Sequence, residues 1–238
     1  MESIFNKHIL ITGATGGIGS QLASLLAASG AQLFISGRNT EKLQTLAIQL
    51  GLSEDRYFAG DLTQTDQVQA LQQQYFKVFP KIDILINAAG IGMIKPFEQL
   101  SEADFLQTLH SNLYSPFLIL QSFLPAMKEA KKGLIIHIPG ILGKVPMAGA
   151  ASYCASKYGL VGMLQSIREE LKRTEIRITQ VYLGGSDTDF WNNIDLRVQR
   201  EKMIQAKEAA KAIWFLCQQP TSGVVNEMVL QPFNHQAI

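Results

Sequence analysis

Short apolar, β-branched runs alternate along this chain with longer stretches of helical period. Residues 8–12, 32–36, 56–59, 82–87, 133–138, 177–182 and 226–230 predict strands. Between them, residues 18–29, 40–50, 65–78, 101–130, 152–173 and 200–218 predict helices. Strand and helix in turn argue an α/β protein whose parallel sheet is covered by helices on both faces. Crossovers of this length belong to a doubly wound sheet. Pro116 should kink or break the long stretch 101–130, with Asn112 one turn before it. The segment from Gly184 to Leu196, rich in Gly, Asn, Asp and aromatic residues, predicts a mobile loop over a site. No repeat, low-complexity tract or linker interrupts the pattern.

Composition narrows this picture. With 238 residues, 47% of them hydrophobic and 17% charged, the chain suits one large domain, or at most two small ones. A net charge of +1 gives no reason to expect a nucleic-acid or membrane partner. Lys128, Lys131 and Lys132 form the clearest basic cluster and suit a helix C-terminus. Two cysteines, Cys154 and Cys217, are too few for a disulfide scaffold and have no metal-ligand spacing. The first ten residues lack the apolar segment of a signal peptide, and no stretch has the ~18 apolar residues of a membrane helix. A reducing, cytoplasmic setting is the expectation.

The first strand runs into Gly13-Ala14-Thr15-Gly16-Gly17-Ile18-Gly19, and a helix follows. Gly13 permits a tight turn, Gly17 lets backbone approach a pyrophosphate, and Gly19 lets the helix pack close to the strand. Free N–H groups at the helix start, aided by its dipole, then face the phosphates of a dinucleotide. The second strand should end beside the adenosine ribose. There the chain offers Ser36-Gly37-Arg38: no carboxylate to repel a 2′-phosphate, and a guanidinium to pair with it. NADP(H) is therefore expected over NAD(H). Asp61, after the third strand, is placed either for the adenine edge or as a cap for the helix starting near Thr65.

Tyr153 and Lys157, four residues apart, share one helix face and should point into one cleft. An ammonium beside a phenol favours the phenolate and lowers its pKa from roughly 10, which readies it for proton transfer. The residues Thr12 to Gly19, Asp61-Leu62-Thr63, Asn87-Ala88-Ala89-Gly90, Asn112 and Tyr153-Cys154-Ala155-Ser156-Lys157 together resemble the short-chain dehydrogenase/reductase family over nearly the whole chain. The resemblance implies a single-domain Rossmann fold with a mostly parallel seven-stranded sheet and a substrate loop at about 184–200. It implies Tyr153 as general acid/base, Lys157 on the nicotinamide ribose, and Asn112 holding a water in a proton relay. It also assigns Thr15, Gly16, Gly17, Ile18, Leu62, Asn87 to Gly90, Gly184 and Thr188 to the cofactor site, with Thr188 at the carboxamide.

Three positions depart from the family. Ala88 replaces a common asparagine, and Leu183-Gly184-Gly185 replaces a common Pro-Gly, which should loosen the loop. Gly140 stands thirteen residues before Tyr153, where the family typically has a serine that hydrogen-bonds the substrate oxygen. Loss of one such donor commonly costs about 10²–10³ in rate. Ser186 and Thr188 are candidates to compensate, whereas Ser152 should point elsewhere on its helix.

Met93, Ile94, Ile141, Met147, Phe190 and Trp191 are expected near the cleft, with no evident arginine clamp for a carboxylate or phosphate. That suggests an apolar or aromatic carbonyl compound. His8, His110, His137 and His235 show no ligand spacing, and His137 is expected to be a satisfied structural residue. A homodimer or homotetramer is implied by the resemblance. The expected activity is an NADP(H)-dependent oxidoreductase acting on a small or medium carbonyl or alcohol. The alternative is a catalytically weak or inactive NADP(H)-binding sensor or partner-binding protein.

Overall fold

In the computed structural model, which describes residues 2–194 and 196–234, the alternating runs form one seven-stranded sheet in which every pairing is parallel. In chain order the strands are β1 (His8–Thr12), β2 (Gln32–Gly37), β3 (Tyr57–Ala59), β4 (Ile84–Asn87), β5 (Lys132–His137) and β6 (Glu175–Leu183). The short strands β7 (Ser186–Asp187) and β8 (Ile204–Gln205) pair only with each other, and β9 (Glu227–Leu230) completes the main sheet. The helices are α1 (Gly17–Ala28), α2 (Thr40–Gln49), α3 (Thr65–Val78), α4 (Glu102–Leu109), α5 (Ser115–Ala130), α6 (Ala151–Glu170) and α7 (Ala206–Leu216).

The sheet order is β3-β2-β1-β4-β5-β6-β9. From β1 the chain builds outward through β2 and β3, then returns to lay β4 on the other side. The carboxyl ends of β1 and β4 therefore flank a crevice at the point where the order reverses, the usual ligand position in open α/β sheets. The strands alternate faces with period two. Ile9, Ile11, Leu33, Ile35 and Ile86 pack with the inner faces of α1, α2 and α7. Leu10, Phe34, Leu85, Ile135 and Ile178 pack with α3, α5 and α6. Both layers are buried, which is why the strands read as nearly continuous apolar runs.

At the carboxyl ends the second layer changes character. Ser36, Thr12, Asn87, His137 and Gln180 are register partners on adjacent strands and continue the face of Phe34, Leu10, Leu85, Ile135 and Ile178. All five are buried. Thr12 Oγ1 donates to Asn87 Oδ1 at 2.9 Å. Ser36 Oγ, Asn87 Nδ2, Gln180 Nε2 and both ring nitrogens of His137 have no hydrogen-bond partner among the described residues. His137 is therefore buried but not satisfied, contrary to the expectation from sequence.

The stretch 101–130 is broken where proline predicted, though by a different geometry. Ser101 and Asp104 form a reciprocal capping box on α4. A single π-turn, His110–Tyr114, then joins α4 to α5, with Pro116 in the first turn of α5. The predicted helix 200–218 is shorter than expected: Arg200–Lys202 forms a 3₁₀ turn, β8 follows, and α7 begins only at Ala206. Two of the three clustered lysines lie at a helix end, Lys128 in the last turn of α5 and Lys131 closing it in the left-handed region, whereas Lys132 begins β5. Among the described residues no helix is long and apolar enough to cross a membrane, and no group of His, Cys, Asp and Glu could hold a metal. His235 lies outside the described residues.

Candidate active site

The glycine turn closes against the end of β4. Gly13 has φ +71, and a Cβ there would meet Ala89 N at 2.5 Å, so only glycine fits. A Cβ on Gly19 would meet Gly13 O at 2.3 Å, which permits the expected close packing of helix and strand. The N-cap of α1 is Gly16; no side chain caps the helix and its first turn holds no acidic residue. Its leading N–H groups thus remain available to an anion, and the helix dipole favours one there. By contrast Asn39 Oδ1 accepts from Lys42 N at 2.8 Å and caps α2 within the protein. Arg38, just beyond β2, is exposed and has no ion pair among the described residues. Asp61 is also exposed, and its Oδ1 accepts from Thr63 N (3.0 Å) and Thr63 Oγ1 (2.9 Å). It closes a local turn; the N-cap of α3 is Gln64. Leu62 beside it is buried.

Asn112 occupies the π-turn between α4 and α5. The extra residue in such a turn re-aims side chains, and π-turns are frequent at functional sites. The buried Asn112 amide donates to Ile91 O (2.9 Å) and Ser156 Oγ (3.1 Å), while Oδ1 accepts from Ile91 N (2.9 Å). Its side chain thus fastens the segment after Gly90 to α6.

Tyr153 and Lys157 do share a face of α6 and line one cavity of about 760 Å³ with Ala88, Ala89, Gly90 and Gly140. Lys157 Nζ donates to Ile138 O at 3.3 Å and lies 5.4 Å from the centroid of the Tyr153 ring. Burial lowers the Lys157 ammonium from 10.5 to about 8. Burial also pushes the Tyr153 phenol above its ordinary value, with a smaller contribution from Cys154. The lowering expected from the neighbouring ammonium is not seen: desolvation sets the direction, and Lys157 is not among the causes of the shift. His137 is pushed down from 6.5 to about 3, by burial first and then by the charge of Lys157, so it is neutral.

Gly140 has φ +74, and a Cβ there would lie 3.6 Å from Leu183 O and 3.8 Å from Tyr153 Oη. The position counted from sequence does face the phenol. Ser186 and Thr188 both line the cavity. Ser186 Oγ donates to Gly184 O at 3.2 Å, and Thr188 Oγ1 accepts from Phe190 N at 3.4 Å. Ser152 is buried in α6, is absent from the cavity wall, and its Oγ has no partner among the described residues.

Of the expected pocket residues, Ile94, Ile141, Met147, Phe190 and Trp191 line the cavity and Met93 does not. The Phe190 ring packs edge-on to Tyr153, with centroids 5.9 Å apart. The sequence reading missed two cations, Arg197 and Lys202, in the same wall. Arg197 falls in a stretch without periodicity and Lys202 within the helical pattern of residues 200–218, so neither can be aimed from sequence.

The arrangement invites comparison with known proteins. Residues 7–199 match the short chain dehydrogenase family. Nodulation protein G of Rhizobium sp. (strain N33) is 31% identical over 237 residues, which span 96% of each protein. A metagenomic short-chain oxidoreductase solved in complex with NADP superposes with a TM-score of 0.83 at 30% identity, covering 97% of this chain and 99% of that one. A variant of actinorhodin polyketide ketoreductase solved with NADPH gives a TM-score of 0.84 at 25% identity, covering 98% of each. Its Rossmann sheet and these matches place the chain in the short-chain dehydrogenase family, as an oxidoreductase.

Proposed function

We propose that this protein is an NADP(H)-dependent oxidoreductase that reduces a small or medium carbonyl compound to the alcohol. The observation that carries the reading is the convergence of Tyr153 and Lys157, on one face of α6, on a cavity that opens beside the crevice between β1 and β4. The turn Gly13 to Gly19 fits a pyrophosphate, because its leading N–H groups are uncapped and a Cβ on Gly13 would collide with Ala89. Thr15, Gly16, Gly17 and Ile18 would lie along the phosphates, Arg38 on a 2′-phosphate, and Asp61 and Leu62 on the adenine side. Asn87 to Gly90, Lys157, Gly184 and Thr188 would hold the nicotinamide end. Two of the solved relatives were crystallised with NADP or NADPH, which supports the same choice here.

The bound nicotinamide would supply a hydride to the carbonyl carbon and leave oxidised. The Tyr153 hydroxyl gives its proton to the carbonyl oxygen, and the phenolate so formed is stabilised by the Lys157 ammonium. A phenol held above its ordinary pKa is protonated at neutral pH, which suits it to act as an acid in the reducing direction. Asn112 acts by fixing the segment after Gly90 against α6.

Gly140 favours a second reading, an NADP(H)-binding sensor or partner-binding protein with little turnover, since the position facing the phenol offers no side-chain donor. NADPH oxidation across a panel of ketones, aldehydes, diketones and quinones separates the two. Turnover that disappears in Tyr153→Phe supports the reductase. A protein that binds NADPH yet turns over nothing supports the sensor.

A further inference from the structure

The cavity is mostly apolar, and among the described residues no Asp or Glu lines it, while three cations do: Lys157, Arg197 and Lys202. The chain as a whole is balanced, with 21 Lys and Arg against 20 Asp and Glu, so the bias belongs to the cavity. Lys157 is buried, bonded to Ile138 O, and committed to the reacting end. Arg197 and Lys202 are exposed and have no carboxylate partner among the described residues.

The neighbouring Arg200 sharpens the contrast. Its guanidinium donates to Asp187 Oδ1 (2.6 Å), Asn192 Oδ1 (2.9 Å) and Thr188 O (3.0 Å), so it is fully used in holding the loop. Within six residues, then, one cation braces the protein and two are left facing the cavity. The phosphates of a cofactor do not account for these two, because their cradle is the glycine turn and the first turn of α1. Cations beside low-dielectric walls concentrate anionic ligands, and a guanidinium fork matches a carboxylate or phosphate.

We infer that the substrate has an apolar body carrying its carbonyl and, at the remote end, an anionic group, a carboxylate or a phosphate, which Arg197 and Lys202 bind. This inference rests on the reductase reading above and names the substrate class of the same site. It adds an anionic end to the apolar or aromatic carbonyl compound expected from sequence.

The test compares medium-chain oxo-carboxylates with their methyl esters, and a hydroxyketone phosphate with the free hydroxyketone, in NADPH oxidation assays. Wild type and R197Q/K202Q are assayed in parallel, and binding of the same compounds to protein saturated with NADP⁺ is followed by calorimetry. The expected result is an anion preference in kcat/KM of about tenfold in the wild type. That preference falls toward one in R197Q/K202Q, through substrate KM and with the KM for NADPH unchanged. The oxo-acid and phosphate arms show which anion is taken. A neutral compound used as well as its charged partner overturns the inference, as does a variant effect confined to the KM for NADPH. If nothing is turned over but the anionic compounds bind more tightly in an Arg197- and Lys202-dependent way, the reductase reading fails and the anion site stands. If nothing is turned over and charge makes no difference to binding, the inference fails as well.

Discussion

Gly140 faces Tyr153 across the cavity so closely that a methyl group on the glycine would lie 3.8 Å from the phenol oxygen, an ordinary contact distance. Space for a side chain therefore exists, and the obstacle is the backbone at φ +74 and ψ 170, a conformation essentially restricted to glycine, where another residue costs about 1–3 kcal/mol. Gly140→Ser should raise kcat, with about 10²–10³ as the ceiling for a well-placed donor, and lower Tm. Gly140→Ala should lower Tm to a similar extent without any gain in kcat. Identical kcat values for the two variants would show that a hydroxyl at this position contributes nothing.

Arg38 stands just past β2 with no internal ion pair and no carboxylate beside it in sequence. Arg38→Ala should weaken NADPH binding by about tenfold or more, the usual scale for a charge-assisted contact, and leave NADH binding nearly unchanged. Fluorescence titration with both nucleotides measures this. An equal loss for both would remove Arg38 from 2′-phosphate recognition.

Burial of Lys157 and His137 makes stability depend on pH in two separate windows. The folded-state value of Lys157 is lowered from 10.5 to about 8, so between these values the unfolded chain binds more protons and stability rises with pH. The folded-state value of His137 is lowered from 6.5 to about 3, so stability falls as the pH drops through that window. Chemical denaturation should show the alkaline rise flattened in Lys157→Met and the acid loss reduced in His137→Leu. A His137→Leu protein as acid-sensitive as the wild type would mean that the imidazole is already solvated or paired.

Phe190 is wedged between Tyr153 and the segment after β4. A Cβ on Gly92 would stand 2.3 Å from Phe190 Cζ and 3.0 Å from Ile194 Cδ1. Gly92→Ala should therefore push the Phe190 ring aside and widen the cavity near the phenol. The kcat/KM ratio of bulky to small ketones should rise, and Phe190→Ala should move it the same way. A loss equal for all sizes would separate Phe190 from substrate selection.

The central strands β1, β2, β4, β5 and β6 were legible because they are buried on both faces, and β-branched runs bounded by glycine and polar turns leave little choice of state; the edge strands β3 and β9 are only partly buried and were legible from their apolar runs alone. Gly13 to Gly19, Tyr153 and Lys157 were legible because a strand–turn–helix junction and a four-residue helix spacing fix geometry locally. The failures are all non-local. Residues 200–218 carry a helical pattern, but the bonds of Arg200 to Asp187 and Thr188 and the pairing of Ile204 with Ser186 hold their first part out of the helix. Whether His137 finds a partner depends on what Asn87 and Gln180 present beside it, and this follows only from the strand order. The rise of the Tyr153 phenol comes first from burial, which only the folded packing shows, and not from the ammonium four residues on.

The bonds of Arg200 also bear on how firmly the region beyond Gly184 holds its shape. Arg200 grips Asp187, Thr188 and Asn192, Trp191 Nε1 donates to Ser186 O at 2.9 Å, and β7 pairs with β8. A segment cross-braced in this way behaves as a plate rather than a rope. Capture of a substrate then spends little binding energy on ordering a disordered cover, and more of that energy is left to align the carbonyl with Tyr153.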